Sequence, residues 1–214
     1  MSRIPRPLQA DLVLHITTHA LPDRLCFPDE ESRLRFRQLT TRFSRLESCQ
    51  IHAYALMDNH VHLLLTGQKE GASACLMHRL LGRHAQLQNR VEGRFGPRWH
   101  GRYSALVIEN ENHLLRSVLY IEANPWRAGL VEHPAQSTWT SYGANGLGRP
   151  EELITPHEIL TRLGSPDEDW HTAYARLMDE YIRTAVRYKS PVHLPLTADP
   201  FVGLHVFQRD PGQI

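Results

Sequence analysis

Residues 50–57 and 60–66 form two apolar runs separated only by Asp58 and Asn59. A gap of two residues, both tolerant of positive φ, fits a tight antiparallel hairpin. The neighbouring segments complete a pattern around it. Residues 12–17, Leu-Val-Leu-His-Ile-Thr, read as a strand. Asp29-Glu-Glu-Ser32 reads as a helix start, with acids near the positive end of the dipole. Phe36, Leu39, Phe43 and Leu46 then recur at helical spacing. A second helix over residues 72–91 gathers Leu76, Met77, Leu80, Leu81 and Leu87 on its apolar side, with Arg79, Arg83 and Arg90 together on the other. Residues 103–108 read as a fourth strand and 110–124 as a third helix ended by Pro125. The order is β-α-β-β-α-β followed by a helix. It predicts an α+β, ferredoxin-like split βαβ fold: an antiparallel sheet with helices on one face, plus a C-terminal helical extension.

The formal net charge of +1 conceals an uneven distribution. Between His78 and Tyr103 six Arg face one acid, Glu92. Between Glu151 and Glu180 eight acids face two Arg. A basic middle of this kind attracts phosphate. The organisation therefore divides into a main domain over residues 8–142, an acidic helical extension over 143–189 and an extended Pro-rich tail over 190–214. Trp170, Tyr174, Leu177 and Tyr181 in the extension form a stripe that reads as packing. The three cysteines are too few and too scattered for a disulfide framework or a CxxC zinc site, and they suit a reducing cytosol. No apolar run approaches the roughly 18 residues that span a bilayer. Leu12-Val-Leu14 is too short for a signal-peptide core. The expectation is a cytoplasmic protein with no membrane partner.

Fourteen histidines invite a search for metal ligands. The sharpest feature is His60-Val61-His62, at the start of the third strand. Strand alternation turns both imidazoles to one face, where they can share one metal ion. On the third helix, Tyr120 and Asn124 lie one turn apart, on an arc away from Leu115, Val118, Leu119 and Ile121. This arc predicts a tyrosine off the core face of its own helix. Asn124 can terminate the helix before Pro125, act chemically, or do both. Glu122 falls inside the apolar arc with no evident reason. Among the aromatics, Trp99, His100 and Tyr103 beside Arg98 and Arg102 can act as stacking platforms or as core.

Residues 51–65 contain His-Ala-Tyr-Ala-Leu-Met-Asp-Asn-His-Val-His-Leu-Leu-Leu. Residues 116–131 read Arg-Ser-Val-Leu-Tyr-Ile-Glu-Ala-Asn-Pro-Trp-Arg-Ala-Gly-Leu-Val. These resemble the His-hydrophobe-His signature and the tyrosine helix, with its Asn-Pro-x-Arg-Ala-Gly segment, of the HUH single-tyrosine transposases. Trp99-His-Gly-Arg-Tyr103, Trp139-Thr-Ser-Tyr142, Asn145-Gly-Leu-Gly148 and Leu153-Ile-Thr-Pro-His157 are similar to the REP-associated branch. The resemblance covers about residues 12–164 and makes residues 8–142 the catalytic domain. It implies His60, His62 and Asn124 as metal ligands and Tyr120 as the nucleophile. It further implies Mg²⁺ or Mn²⁺ as cofactor, single-stranded DNA with hairpin-forming palindromes as partner, and a monomer or a helix-swapped homodimer. Arg79, Arg83, Arg90, Arg98, Trp99, Arg102 and Arg127 are the candidate DNA contacts. One departure stands out: Thr18-His-Ala-Leu-Pro-Asp-Arg24 replaces the family's glycine-containing turn after the first strand.

The chemistry these parts imply is attack of a phenol on a phosphodiester, leaving a 3′-OH and a 5′-phosphotyrosine that a second 3′-OH can resolve. Imidazoles must be neutral to bind metal, so activity is expected to fall below about pH 6. Two other readings stay open: a hairpin-binding protein that has lost cleavage, and a metal-dependent nuclease that uses water.

Overall fold

The structure is a computed structural model, and it describes residues 7–185. The expected tail over 190–214 lies outside the described residues. The split βαβ unit consists of β1 (Val13–His19), α1 (Glu30–Leu46), β2 (Cys49–Leu56), β3 (His60–Gly67), α2 (Ala72–Val91) and β4 (Ser104–Val107). The sheet is antiparallel throughout, in the order β2-β3-β1-β4. Beyond it come α3 (Glu111–Glu122), α4 (Asn124–Arg127), α5 (Tyr142–Asn145), α6 (Glu158–Thr161) and α7 (Trp170–Thr184). No helix among the described residues is long and apolar enough to cross a membrane.

Strand alternation divides the chain into two cores. Val61, Leu63 and Leu65 of β3 join Leu14 and Ile16 of β1 on one face. There they meet Phe36 of α1 and Leu76, Met77 and Leu80 of α2. Removing a core aromatic such as Phe36 would cost on the order of 3–5 kcal/mol. The opposite face of β3 carries His60, His62 and Leu64. Leu64 packs with Ala53 and Ala55 of β2, Leu114, Val118 and Ile121 of α3, and Tyr174, Met178 and Tyr181 of α7. The helices inside the βαβ unit thus lie on one face as the sequence predicts, while α3 and the extension cover the other. The aromatic stripe of α7 faces this second core.

Local chemistry accounts for the boundaries. Asp29 caps α1 in a reciprocal capping box with Ser32, and Asn110 caps α3. The hairpin between β2 and β3 is as short as expected, but neither Asp58 nor Asn59 takes positive φ. The turn is held from outside instead. Asp58 O accepts from the backbone of Cys26 and Phe27, and Asn59 O accepts from Ala20 N. Pro125 does not simply end a helix; it opens α4 as a separate turn.

Candidate active site

β1 and β3 assemble one wall of the site. Their register sets Thr17 opposite His62 and His19 opposite His60. Side chains of directly paired residues share a face. His15, Thr17 and His19 therefore project beside the His60–His62 pair. The rings form a continuous group: His60 and His62 centroids are 5.0 Å apart, His19 stacks on His60 at 5.3 Å, and His15 lies 5.1 Å from His62. Both members of the pair are about 5% exposed or less.

The hydrogen bonds divide the two nitrogens of each ring. His62 Nδ1 is 2.9 Å from His15 Nε2 and 3.2 Å from Thr17 Oγ1. His60 Nδ1 is 2.7 Å from Asn59 Oδ1. His60 Nε2 and His62 Nε2 are buried and have no hydrogen-bond partner. Two buried nitrogens left bare beside one another are costly unless something else binds them. Asn59 Oδ1 can only accept, so His60 carries its proton on Nδ1 and presents the Nε2 lone pair. For His62 to present Nε2 as well, its Nδ1–H donates to His15 Nε2, which fixes His15 as the Nδ1–H tautomer. Burial drives His60 and His15 down to about 4, and His62 well below the usual imidazole value. All three rings are therefore neutral near pH 7, the form in which imidazole binds a metal.

The opposite wall is the C-terminal end of α3. The Tyr120 ring lies 5.7 Å from His62 and 6.2 Å from His15, within the same chain. Its position corrects the expectation of a tyrosine off the core face, because Tyr120 is buried. The end of α3 is enclosed from two sides, by the sheet and by the extension. The helical arc opposite the leucines is therefore also inside. Arg127, reached through the turn of α4, places its guanidinium 5.2 Å from the centre of the Tyr120 ring and donates to Tyr181 Oη at 3.1 Å. Asn124 caps the end of the helix. Pro125 has no N–H to give the Ile121 carbonyl, and Asn124 Nδ2 donates to Tyr120 O at 2.9 Å and Ile121 O at 3.3 Å. With its nitrogen committed to the helix, Asn124 offers its amide oxygen. Its side chain lies near enough to His60 to affect that ring's ionisation. It nevertheless makes no hydrogen bond with Nε2.

The donor set fits a divalent cation. It comprises two neutral imidazoles with bare Nε2 atoms and one amide oxygen. Among the described residues no group of three or more His, Cys, Asp or Glu is arranged to hold a metal. Two imidazoles and one neutral oxygen leave most of a coordination shell for phosphate and water, which predicts weak binding without substrate.

Glu122 also finds its explanation. It is fully buried and accepts from Ser141 Oγ (2.5 Å), Asn145 Nδ2 (2.7 Å) and Tyr174 Oη (2.6 Å). These bonds tie the end of α3 to α5 and α7. Burial outweighs them and raises its carboxyl to about 7.

The candidate DNA contacts do not all converge on this pocket. Arg79 and Arg83 are exposed on α2, which covers the opposite face of the sheet, and Arg79 pairs there with Glu47. Arg98 is 1% exposed and committed to Glu92, Leu25 O and Asn89, so it cannot face a phosphate. Trp99 is half-buried, with its Nε1 donating to Leu81 O, and Tyr103 is core. Arg98 and Trp99 thus correct the expected DNA contacts, whereas Tyr103 takes the core alternative. Arg90 and Arg102 are exposed at the end of the sheet where β3 begins. The departing turn over residues 18–24 is ordered without glycine, because no residue in it takes positive φ. Leu21 N donates to Arg98 O, and Arg24 reaches Asn89 Oδ1 and Phe95 O.

The fold and the pocket define an α+β protein in which paired strand histidines meet a helix tyrosine on one face of a ferredoxin-like sheet. The sequence model of IS200-like transposases matches residues 9–124, over half of the chain, and the chain belongs to that family. A solved REP-associated tyrosine transposase bound to a REP hairpin is similar in fold. It is 16% identical, with a TM-score of 0.51, over 73% of this chain and 93% of that one. A candidate transposase from Deinococcus radiodurans aligns at 17% identity and a TM-score of 0.39, over 53% of this chain and 91% of that one. A comparison with curated proteins found no match.

Proposed function

We propose that this transposase cuts single-stranded DNA beside hairpin-forming palindromic repeats and transfers the strand through a 5′-phosphotyrosine, with Tyr120 as nucleophile. The observation that carries this reading is the meeting, in one chain, of Tyr120 with two buried histidines whose Nε2 atoms have no partner. The repeat hairpin as substrate follows the similar solved structure, which was bound to a REP hairpin.

In the first step the Tyr120 oxygen, giving up its proton, attacks phosphorus; the bond from phosphorus to the 3′ oxygen breaks, and that oxygen leaves as a 3′-OH. In the second, another 3′-OH attacks the phosphotyrosine, and the phenol regains a proton. The number of phosphodiesters is conserved, so no external energy source is required. His60, His62 and the Asn124 oxygen would hold a divalent cation, Mg²⁺ or Mn²⁺, which polarises phosphate oxygens and steadies the leaving oxygen. His15, Thr17 and Asn59 hold the imidazoles in the tautomer and rotation this requires. Arg127 sets a fixed positive charge against the phenol, where negative charge develops.

The test is incubation of the full chain with a single-stranded hairpin oligonucleotide and Mn²⁺. Cleavage by the wild type that is lost in Tyr120→Phe is expected. Cleavage that persists in Tyr120→Phe would assign the attack to water. Binding with no cleavage by the wild type would leave only a hairpin-binding protein.

A further inference from the structure

With Tyr103 in the core and Trp99 half-buried against it, another aromatic side chain stands in the basic segment. Phe95 is 92% exposed, at the tip of the loop between α2 and β4. Scattered apolar residues on a surface are ordinary, but this one is presented by a built support. Gly93 and Gly96 on either side take left-handed φ of 62° and 87°, a conformation that suits glycine. Arg24 Nη2 donates to Phe95 O at 3.0 Å, and Asn89 Nδ2 donates to Gly96 O at 2.8 Å. The loop backbone is thereby braced while the ring is held out in water.

The surroundings select the partner. Glu92 is the only acid between residues 71 and 108, and buried Arg98 engages its carboxylate. Arg90, Arg94 and Arg102 are all exposed around the loop. The loop also springs from the end of the sheet that holds the pocket. Trp99 bridges to Ala20, and His100 N donates to the carbonyl of His19, whose ring stacks on His60. An aromatic face among cations, beside a pocket for a phosphodiester, matches an unpaired nucleobase with its flanking phosphates.

We propose that Phe95 stacks on an unpaired base of the DNA strand that enters the pocket, with Arg90 and Arg94 beside its phosphates. This rests on the strand-cleaving function proposed above and assigns it a base-contacting residue on the loop from Gly93 to Pro97. The test uses the full chain, with a fluorescein-labelled hairpin oligonucleotide carrying an unpaired flank. A parallel series places 2-aminopurine at each unpaired position in turn. Phe95→Ala is expected to weaken binding at least about fivefold. It is also expected to abolish a fluorescence change that the wild type produces at one flank position. Phe95→Trp restores both. Because the ring is in solvent, both variants are expected to melt with the wild type. Unchanged affinity in Phe95→Ala, with no 2-aminopurine position responding, would overturn the stacking proposal alone. Loss of self-association in Phe95→Ala with DNA affinity unchanged would assign the ring to a protein interface and overturn it too. Failure of the wild type to bind the oligonucleotide would defeat the DNA reading and the stacking proposal together.

Discussion

Two buried imidazoles side by side, each with Nδ1 satisfied and Nε2 bare, define this pocket and carry the proposed metal site. His15 is the residue that makes the arrangement specific, since its Nε2 lies 2.9 Å from His62 Nδ1 and, by accepting the Nδ1–H hydrogen bond, would keep His62 Nε2 available. His15→Ala is therefore expected to lower Mn²⁺ affinity about 10- to 100-fold with the fold retained, as loss of a supporting hydrogen bond does at other metal sites. Free Mn²⁺ measured by its electron paramagnetic resonance signal checks this; unchanged affinity would remove His15 from the site. The same measurement across pH tests the burial argument. An ordinary imidazole binds protons below about pH 6.5 and would release metal there. The neutral form is the binding form, and burial brings His60 down to about 4. Mn²⁺ affinity is thus expected to stay level from pH 7 to about pH 5, where sequence alone predicts loss below about pH 6. A loss centred near pH 6.5 would show that the rings are as exposed as free imidazole. His60 and His62 were legible because one dipeptide step on a strand fixes their common face. His15, Thr17 and His19 follow the same two-residue period, but their relevance depends on the register between β1 and β3, which no local pattern reveals.

At the scale of elements, α3 is the part whose sequence misleads. A helical wheel assumes one buried side, and α3 is enclosed on two near its C-terminus. Tyr120 consequently looks like a surface residue, and Glu122 like an error in the apolar arc. The partners of Glu122 lie 19 to 52 residues further along the chain, on α5, α7 and the turn before α5. Glu122→Ala removes an acceptor from the buried Ser141, Asn145 and Tyr174, of which Asn145 still donates to His52 O and Ser141 to Tyr54 O, and a buried donor left unpaired costs about 1–3 kcal/mol. A loss on the order of 3 kcal/mol or more is expected in urea unfolding, with Glu122→Gln losing less because its amide oxygen can still accept. Equal, small losses in both variants would show that the network does not hold α3 against the extension. The βαβ unit was legible because its strands alternate and its helices are amphipathic in the ordinary way. Trp99 and Arg98 depart from the expected DNA contacts for the opposite reason to Tyr120. Charge and aromaticity in a loop suggest a surface, yet this loop folds back onto α2 and buries both in whole or in part.

For the whole molecule, the fold brings Tyr120 and the paired imidazoles together within one chain. Tyr120 and His62 belong to one chain, so mixing a Tyr120→Phe variant with a His60→Ala variant is expected to restore no cleavage. Recovery of activity in the mixture would show that the tyrosine helix is exchanged between chains. The basic middle and the acidic extension, so distinct in composition, meet different fates in the fold. The extension's apolar stripe lies against α3, while exposed cations lie at the end of the sheet where β3 begins and, separately, along the far face of α2. The proposed reaction depends above all on a covalent bond between Tyr120 and the 5′ phosphate of the cut strand. Its most direct measurement is a denaturing gel after reaction of the wild type with Mn²⁺ and the hairpin oligonucleotide, labelled at one end or the other. A protein adduct carrying only the 3′ label, and absent from Tyr120→Phe, is the predicted result. Cleavage with no adduct, or an adduct that survives the loss of the Tyr120 hydroxyl, would contradict it.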